Sequence, residues 1–182
     1  MRTVVVVDYD SAWPELFQQL RPPVWSLVRD VALSIEHVGS TAVPGLAAKP
    51  IIDMSVIVAS DREVPVVIAR LATLGYVHRG NLGIAGREAF RRPDGLPPHN
   101  LYVCPQGSLG LENQLVVRDY LRTHPETARA YGELKMRLAR EFPQDIGSYV
   151  AGKTDFILGI LREQGMAAER LEAIERANRK QA

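Results

Sequence analysis

The chain has 182 residues, of which 46% are hydrophobic and 24% are charged, and its formal net charge is +1. This length and composition are typical of one globular domain with a substantial core, and they exclude disordered and fibrous classes. The near-neutral charge gives no whole-molecule field for holding nucleic acid or an anionic membrane, so neither partner is expected. The single cysteine excludes an internal disulfide, and the N-terminal residues resemble neither a signal peptide nor a membrane span. We therefore expect one cytoplasmic unit over residues 1–182, with a sheet-bearing core over about 1–110 and a helical region over about 111–182.

The first sixty residues predict strands separated by a helix and a loop. The β-branched segment "TVVVV" (3–7) predicts a strand, and residues 8–28 predict one or two helical stretches with Ser11 as N-cap. The runs "ALSIEHVGS" and "IIDMSVIVA" predict two further strands, and a loop that bears Gly, Ser and Pro lies between them.

The remainder predicts a crossover helix, a hairpin and then helices. A helical pattern ends at the C-capping residue Gly75, and "REAFRR" and "HNLYVC" predict paired strands around the turn "PDGLPP". From Leu111 onward helical patterns dominate. One helix begins with a capping box formed by Thr123 and Glu126. Its predicted apolar face carries Ala128, Tyr131, Leu134 and Leu138.

The late stretch "GSYVAGKT" (147–154) satisfies the pattern G-x-x-x-x-G-K-[ST] of a phosphate-binding P-loop. That motif requires a buried strand immediately before it, whereas "LAREFPQDI" predicts the end of an amphipathic helix followed by a proline break. The residues after Thr154 are helical in pattern and leave no later strand for a parallel sheet. We therefore interpret the stretch as a turn and a helix with Ser148 as N-cap. The predicted buried side of this helix carries Phe156, Ile157, Ile160 and Leu161.

The segment "IEHVGSTAVPGLAAKPIIDMSVIV" (35–58) carries a more informative pattern. A strand that ends at Gly39 and Ser40 lets backbone N–H groups approach an anion, and a helix beginning just after it would add its dipole. On the next strand Asp53 would hold a divalent cation that bridges phosphates, and Lys49 would place a positive charge on the same phosphates. The same residues are also compatible with an ordinary loop and a strand end.

The stretch "EHVGSTAVPGLAAKPIID" resembles the signature of the GrpB-like family, which is grouped with the polymerase-β-type nucleotidyltransferases. The resemblance covers most of the chain. Similar segments are the opening "YDSAWPELF", the His-bearing strand "HNLYVC", the late helix region "RDYLRTHPETARAYGELK" and the closing "YVAGKTDFI". It implies an α+β fold, with a nucleotidyltransferase-like mixed β-sheet, flanking helices and a helical C-terminal region.

The resemblance also implies a metal-dependent nucleotidyltransferase that moves a nucleotidyl group from a nucleoside triphosphate to an acceptor, with Mg²⁺ or Mn²⁺ as cofactor. In the superfamily pattern a Gly-Ser turn binds the triphosphate, and two carboxylates one residue apart on the next strand bind metal. Gly39 and Ser40 match this turn, and Thr41 adjoins it. Asp53 matches the first carboxylate, in a catalytic and metal-binding role, whereas Ser55 stands at the second position.

The serine at position 55 leaves several functions open, because a neutral hydroxyl is a poorer Mg²⁺ ligand than a carboxylate. Transfer would survive if another carboxylate converged on Asp53, with Glu36 or Glu88 as candidates, or if one metal sufficed. Of these two we assign Glu36 as the metal ligand. The alternative is a nucleotide-binding or regulatory module with weakened or lost catalysis, and a third hypothesis is a structural or interaction domain.

Two other residues have two interpretations each. His37 either binds a phosphate or orients the loop through its ring nitrogens. Lys153, which lies four residues after Tyr149, either reaches the phosphate site from a helix folded back over the sheet or stays at the surface. The basic hairpin residues are interpreted as a solvated face rather than a triphosphate site, and they are Arg87, Arg91 and Arg92.

Overall fold

The computed structural model describes residues 3–179, and the two ends of the predicted 1–182 unit lie outside the described residues. The strands in the described part are β1 (Ala32–Val38), β2 (Ile52–Val58), β3 (Val77–His78), β4 (Glu88–Arg91) and β5 (His99–Pro105). The α-helices are α1 (Trp13–Val28), α2 (Val64–Thr73), α3 (Leu109–Thr123), α4 (Pro125–Glu141), α5 (Ile146–Gly152), α6 (Thr154–Glu163) and α7 (Ala168–Arg179).

The strands form one mixed sheet in the order β1-β2-β5-β4-β3. β2 and β5 run parallel, and the other neighbouring pairs are antiparallel, including the predicted hairpin of β4 and β5. The α+β architecture with flanking helices is therefore confirmed.

The two faces of β2 have different surroundings because successive strand residues point to opposite sides. One face carries apolar residues that are 0% exposed: Ile52, Met54, Val56 and Val58. They pack against the buried stripe of α1, which consists of Trp13, Phe17, Leu20, Val24 and Val28. The other face carries Asp53 and Ser55, and α3, α4 and α5 supply the side chains that meet it.

The predicted N-terminal strand is wrong. Residues 3–6 form no strand, and Val7 makes one isolated bridge with Ala48 through two N–H···O bonds of 2.9 Å. The N–H of Val4 donates instead to the carbonyl of Pro143 at 2.8 Å. The segment fails to extend as a strand because its partners are a loop and a helix end, which offer no continuous ladder.

The three predicted helix N-caps are also wrong. α1 has Ala12, not Ser11, at its N-cap position. The hydroxyl of Thr123 lies 3.0 Å from the Tyr120 carbonyl and caps nothing in α4. The carboxylate of Asp145 caps α5 by accepting the Ser148 N–H at 3.0 Å, so Ser148 lies inside the helix. The Thr123 hydroxyl is bonded to the preceding helix and the Ser148 hydroxyl donates to Asp145, so neither hydroxyl caps a helix.

Among the described residues, every helix is too short or too polar to cross a membrane.

Candidate functional site

A cavity of about 280 Å³ lies beside the first residues of β2, on the face covered by the later helices. Most of the residues singled out from the sequence line it, namely Gly39, Ser40, Thr41, Lys49, Asp53 and Lys153. Their segments lie far apart in the chain and meet only in the folded structure. Glu36 and His37 are not among the lining residues. The roles of all eight residues in binding stay predictions.

The turn at Gly39 is in van der Waals contact with the carboxylate of Asp53. Gly39 has φ +71°, and a Cβ built on it would lie 2.4 Å from Asp53 Oδ2. No other residue type fits this position without moving the carboxylate, and a side chain would also be strained at this φ. Glycine therefore allows the turn backbone to approach β2 closely.

The helix expected after this turn is absent, so the predicted helix-dipole contribution is wrong. Only a three-residue 3-10 turn, Ser40–Ala42, follows Gly39. Two arginines of α3 hold this segment instead: Arg118 Nη1 donates to the His37 carbonyl at 3.0 Å, and Arg122 Nε donates to the Ala42 carbonyl at 2.9 Å.

Asp53 is the carboxylate at the centre of the cavity. Its Oδ1 accepts a hydrogen bond from Asn100 Nδ2 of β5 at 2.8 Å. Burial raises the pKa of Asp53, while the Asn100 hydrogen bond and the charges of Lys49 and Lys153 act in the opposite direction. The carboxylate is thus held by one amide and surrounded by cationic side chains.

Lys135 of α4 reaches the cavity from the interior. It is 2% exposed, its Nζ donates to Ser40 Oγ at 2.7 Å, and the same Nζ lies 4.5 Å from the centroid of the Tyr131 ring. Burial, together with the charge of Lys153, lowers the pKa of Lys135 to about 6, while the charge of Asp53 acts in the opposite direction. A buried ammonium with one hydroxyl acceptor and one aromatic face is poorly compensated, which favours an anionic ligand beside it.

Two more lysines share a single aromatic ring. The Nζ atoms of Lys49 and Lys153 lie 5.5 and 5.1 Å from the centroid of the Tyr149 ring. Burial, with the nearby charge of Lys49, lowers the pKa of Lys153 to about 8. The structure therefore places Lys153 in the cavity, as the folded-back helix would require.

The other candidate carboxylates are engaged elsewhere. Glu36 Oε2 accepts from Arg118 Nη1 at 3.0 Å, and Glu88 Oε2 pairs with His78 Nε2 at 2.6 Å. The hydroxyl of Ser55, at the position of the second carboxylate, donates to Gln114 Oε1 at 2.7 Å. Within residues 3–179, no group of three or more His, Cys, Asp or Glu side chains is placed to hold a metal ion. These residues do not fit a pair of divalent cations, which needs several oxyanion ligands.

His37 lies on the opposite side of β1 from the cavity. Its ring stacks on Phe17 with 4.8 Å between ring centroids, and its Nε2 lies 2.9 Å from Thr41 Oγ1. Burial lowers the pKa of His37 to about 4, with the charges of Arg122 and Arg118 adding to the effect. A neutral imidazole that holds the Thr41 hydroxyl corresponds to the loop-orienting interpretation.

Sequence reasoning missed Lys135, although its position carries a signal. Lys135 lies four residues after Tyr131 and three before Leu138, in the middle of the apolar stripe of α4. A lysine on such a stripe is buried against the usual preference of the residue, which marks it for a specific interaction.

The hairpin arginines divide into two groups. Arg87 lines the cavity with its guanidinium carbon 4.8 Å from the centroid of the Tyr102 ring. Arg91 pairs with Asp94 at 3.6 Å, and Arg92 Nε donates to the Leu96 carbonyl at 3.2 Å. The interpretation as a solvated face fits the last two, whereas Arg87 belongs to the cavity wall.

Comparison with known proteins gives relatives along almost the whole chain. A sequence profile described as GrpB protein matches residues 3–163. The UPF0157 protein YqkA of Bacillus subtilis is 36% identical over 156 residues, which cover 86% of this chain and 46% of YqkA, so the chain spans under half of that relative. The Glutamate-rich protein GrpB of Alkalihalophilus pseudofirmus is 32% identical over 165 residues, which cover 88% of this chain and 95% of that protein.

Solved structures of similar fold include another protein named GrpB. The crystal structure of the conserved protein GrpB from Enterococcus faecalis has a TM-score of 0.77 and 32% identity, and the match covers 94% of this chain and 98% of that one. A cytoplasmic RNA terminal U-transferase has a TM-score of 0.52 at 17% identity, with 81% of this chain and 49% of that chain covered. The latter likeness concerns the fold alone. The fold is thus similar to that of nucleotidyltransferases, and the chain belongs to the GrpB family.

Proposed function

We propose that this protein binds a nucleotide and holds its phosphates in the cavity beside β2. The observation that carries the proposal is the convergence of Lys49, Lys135 and Lys153 on the single carboxylate of Asp53. Three lysines face one carboxylate, so the cavity carries an excess of positive charge when all three are protonated. Burial lowers the pKa of Lys135 to about 6, and an anion bound beside it favours its ammonium form. Phosphate oxygens accept hydrogen bonds from several lysines at once, so a polyphosphate matches this arrangement.

The dimensions support a nucleotide rather than a larger ligand. The cavity of about 280 Å³ lies near the lower end of the range for small-molecule sites, roughly 300–1,000 Å³. A smaller cavity of about 110 Å³ adjoins it, and Asn113 and Asn178 line both. The small residues Gly83, Ala85 and Gly110 line the second cavity and leave room for a flat group. A base in the smaller cavity would present its polar edge to the two amides while the phosphates extended towards the lysines.

Nucleotidyl transfer is the second candidate function, and the position of Asp53 favours it. The carboxylate lies against the Gly39 turn, in a fold similar to that of a cytoplasmic RNA terminal U-transferase. In the part of the chain that the structure describes, no second carboxylate is placed beside Asp53, which favours binding over transfer. Release of pyrophosphate from ATP, CTP, GTP or UTP across a panel of acceptors, abolished in Asp53→Ala, would support the second candidate.

The test of binding is a nucleotide titration by calorimetry and thermal shift, with and without Mg²⁺ or Mn²⁺. Saturating nucleotide raises the melting temperature by mass action, with about 2.7 kcal/mol of added stability at a hundredfold excess over Kd. Lys153→Gln is expected to weaken binding about tenfold or more, since it removes a charge-assisted hydrogen bond.

The matched control is Arg129→Gln. Arg129 also carries one positive charge, but its side chain is 72% exposed and pairs with Glu126 on the outer face of α4. This variant is expected to bind as the wild type does. Equal affinities in the two variants, or no nucleotide binding at millimolar concentration, would contradict the proposal.

A further inference from the structure

Most of the oxygen atoms that a metal pair would use already have protein partners. Asp53 Oδ1 accepts a hydrogen bond from the Asn100 amide, and the Gly39 turn lies so close to Oδ2 that a Cβ built on Gly39 would be 2.4 Å from it. At the second position the Ser55 hydroxyl is bonded to Gln114. The Glu36 carboxylate is held by Arg118, whose side chain is only 10% exposed. A divalent cation would have to displace these contacts to complete its shell of oxygen ligands.

Positive charge comes to the same place from three separate parts of the chain. Lys49 precedes β2, Lys135 comes from α4 and Lys153 follows α5. The charges of Lys49 and Lys153 lower the pKa of Asp53, and the charge of Asp53 raises the pKa of Lys135 and Lys153. All three lysines therefore lie close to the Asp53 carboxylate. Tyr131 and Tyr149 present ring faces to these ammonium groups, which stabilises the cations without neutralising them.

We propose that the lysines take the place of divalent cations, so that the cavity binds the polyphosphate in its metal-free form. This inference rests on the proposed function and names the ligand species of that same site. Lys135 would bind the phosphate nearest Ser40, since its Nζ already reaches the turn hydroxyl. Lys49 and Lys153 would bind the next phosphate oxygens from the side of Tyr149.

Two consequences follow from simple electrostatics. A Mg²⁺ ion bound to the polyphosphate removes two negative charges from the ligand and adds a cation that the lysines repel, so Mg²⁺ is expected to weaken binding. Asp53 carries the same sign of charge as the ligand and is expected to oppose binding. In a metal-dependent site the same carboxylate would be required.

The decisive variant is therefore Asp53→Asn, for which the two mechanisms predict opposite signs. The substituted side chain is nearly isosteric, and its amide oxygen can still accept the Asn100 N–H, so the turn and strand are retained. If lysines alone hold the ligand, loss of the negative charge tightens binding of metal-free ATP by about tenfold, the scale of one screened charge contact. If a metal bridges Asp53 and the phosphates, binding is lost.

Calorimetry on the full chain would use two probes, ATP and inorganic tripolyphosphate, each in EDTA and in excess Mg²⁺. We expect both probes to bind more tightly in EDTA, Asp53→Asn to strengthen binding and Lys135→Met to weaken it about tenfold. Arg129→Gln serves as the charge-matched control, and circular dichroism confirms that each variant folds.

The outcomes separate this inference from the proposed function. ATP binding only with Mg²⁺, together with its loss in Asp53→Asn, would overturn the metal-free site and leave nucleotide binding intact. Tripolyphosphate binding in EDTA without ATP binding would support the lysine site and contradict the proposed function. Absence of binding by either probe in either buffer would overturn both.

Discussion

The two faces of β2 show how one strand separates stability from function. Towards α1 and α2, Ile52, Met54, Val56 and Val58 are fully buried in an apolar core. Towards α3, α4 and α5, Asp53 and Ser55 meet polar and cationic side chains around a cavity. Burial of apolar area on the first face stabilises the folded state by about 25 cal/mol per Å². The second contains groups whose burial destabilises the fold, such as the Lys135 ammonium.

The largest expected loss of stability comes from truncating a buried side chain on the apolar face of β2. Met54→Ala removes a side chain that is 0% exposed, and truncation of this kind lowers the free energy of unfolding by about 2–5 kcal/mol. Asp53→Asn, one residue away on the other face, is expected to change it by less than about 1 kcal/mol. Urea unfolding of both variants measures the difference. A larger loss for Asp53→Asn would show that the polar face also holds the fold together.

The next effect concerns the contact between the Gly39 turn and Asp53. Gly39→Ala introduces a methyl group 2.4 Å from Asp53 Oδ2 at a φ of +71°, so we expect a loss of about 1–3 kcal/mol and disrupted ligand binding. Gly159→Ala is the matched control, because Gly159 lies in α6 and its Cβ would meet no atom within 4 Å. Helix propensity predicts that this control is neutral or stabilising by up to about 1 kcal/mol. Equal losses at both positions would exclude a special role for the Gly39 turn.

Local pattern predicted β1, β2, β4, β5 and the turn, but it missed the two-residue strand β3 and the source of the positive charge. β1, β2 and the β4–β5 hairpin follow from β-branched runs and turn residues, whereas "TVVVV" carries the same signal and lacks a neighbouring strand. Propensity cannot supply a partner strand. The sequence suggested a helix dipole after Gly39, but only a three-residue 3-10 turn follows it, and the lysines around the cavity come from separate segments of the chain.

The contacts that local sequence did not predict join residues that lie far apart in the chain. Lys153 and Asp53 lie a hundred positions apart in sequence, and only helix packing brings them into one cavity. Pairing of Glu36 with Arg118 is equally non-local. Lys135 could have been found from the apolar stripe of α4, since its position there is set by the helical period alone.

The variant Lys135→Met tests stability and ligand affinity together, and we expect the two to change in opposite directions. Lys135→Met keeps the length of the side chain and removes a buried ammonium that has few compensating contacts. We expect the free energy of unfolding to rise by about 1 kcal/mol without ligand, which corresponds to roughly 2–4 °C in melting temperature. Affinity for metal-free ATP is expected to fall in the same variant. If stability and affinity fell together, Lys135 would be part of the packing rather than a binding residue.

The smallest expected effect is the pH dependence of binding, whose sign follows from the lysine pKa values. Without ligand the pKa is about 6 for Lys135 and about 8 for Lys153. A bound anion favours the ammonium forms and raises both pKa values, so the complex holds more protons than the free protein above neutral pH. Affinity must then fall as pH rises, by at most about tenfold per pH unit for each proton taken up.

Calorimetry at about pH 7.5 and about pH 8.5 isolates this effect, because the second ionisation of phosphate, near pH 6, is complete in that range. Repeating the titration in buffers of different ionisation enthalpy counts the protons taken up by the complex. The charged groups that act on both lysines are Lys49 and Asp53, and Lys153 also acts on Lys135. Lys153→Gln is expected to reduce the slope of the profile, because Lys153 no longer contributes a proton while Lys135 still does, whereas Arg129→Gln leaves it unchanged. A steep profile in the Lys153 variant would assign the remaining proton to Lys135, and a flat profile in the wild type would mean that neither lysine changes its charge when the anion binds.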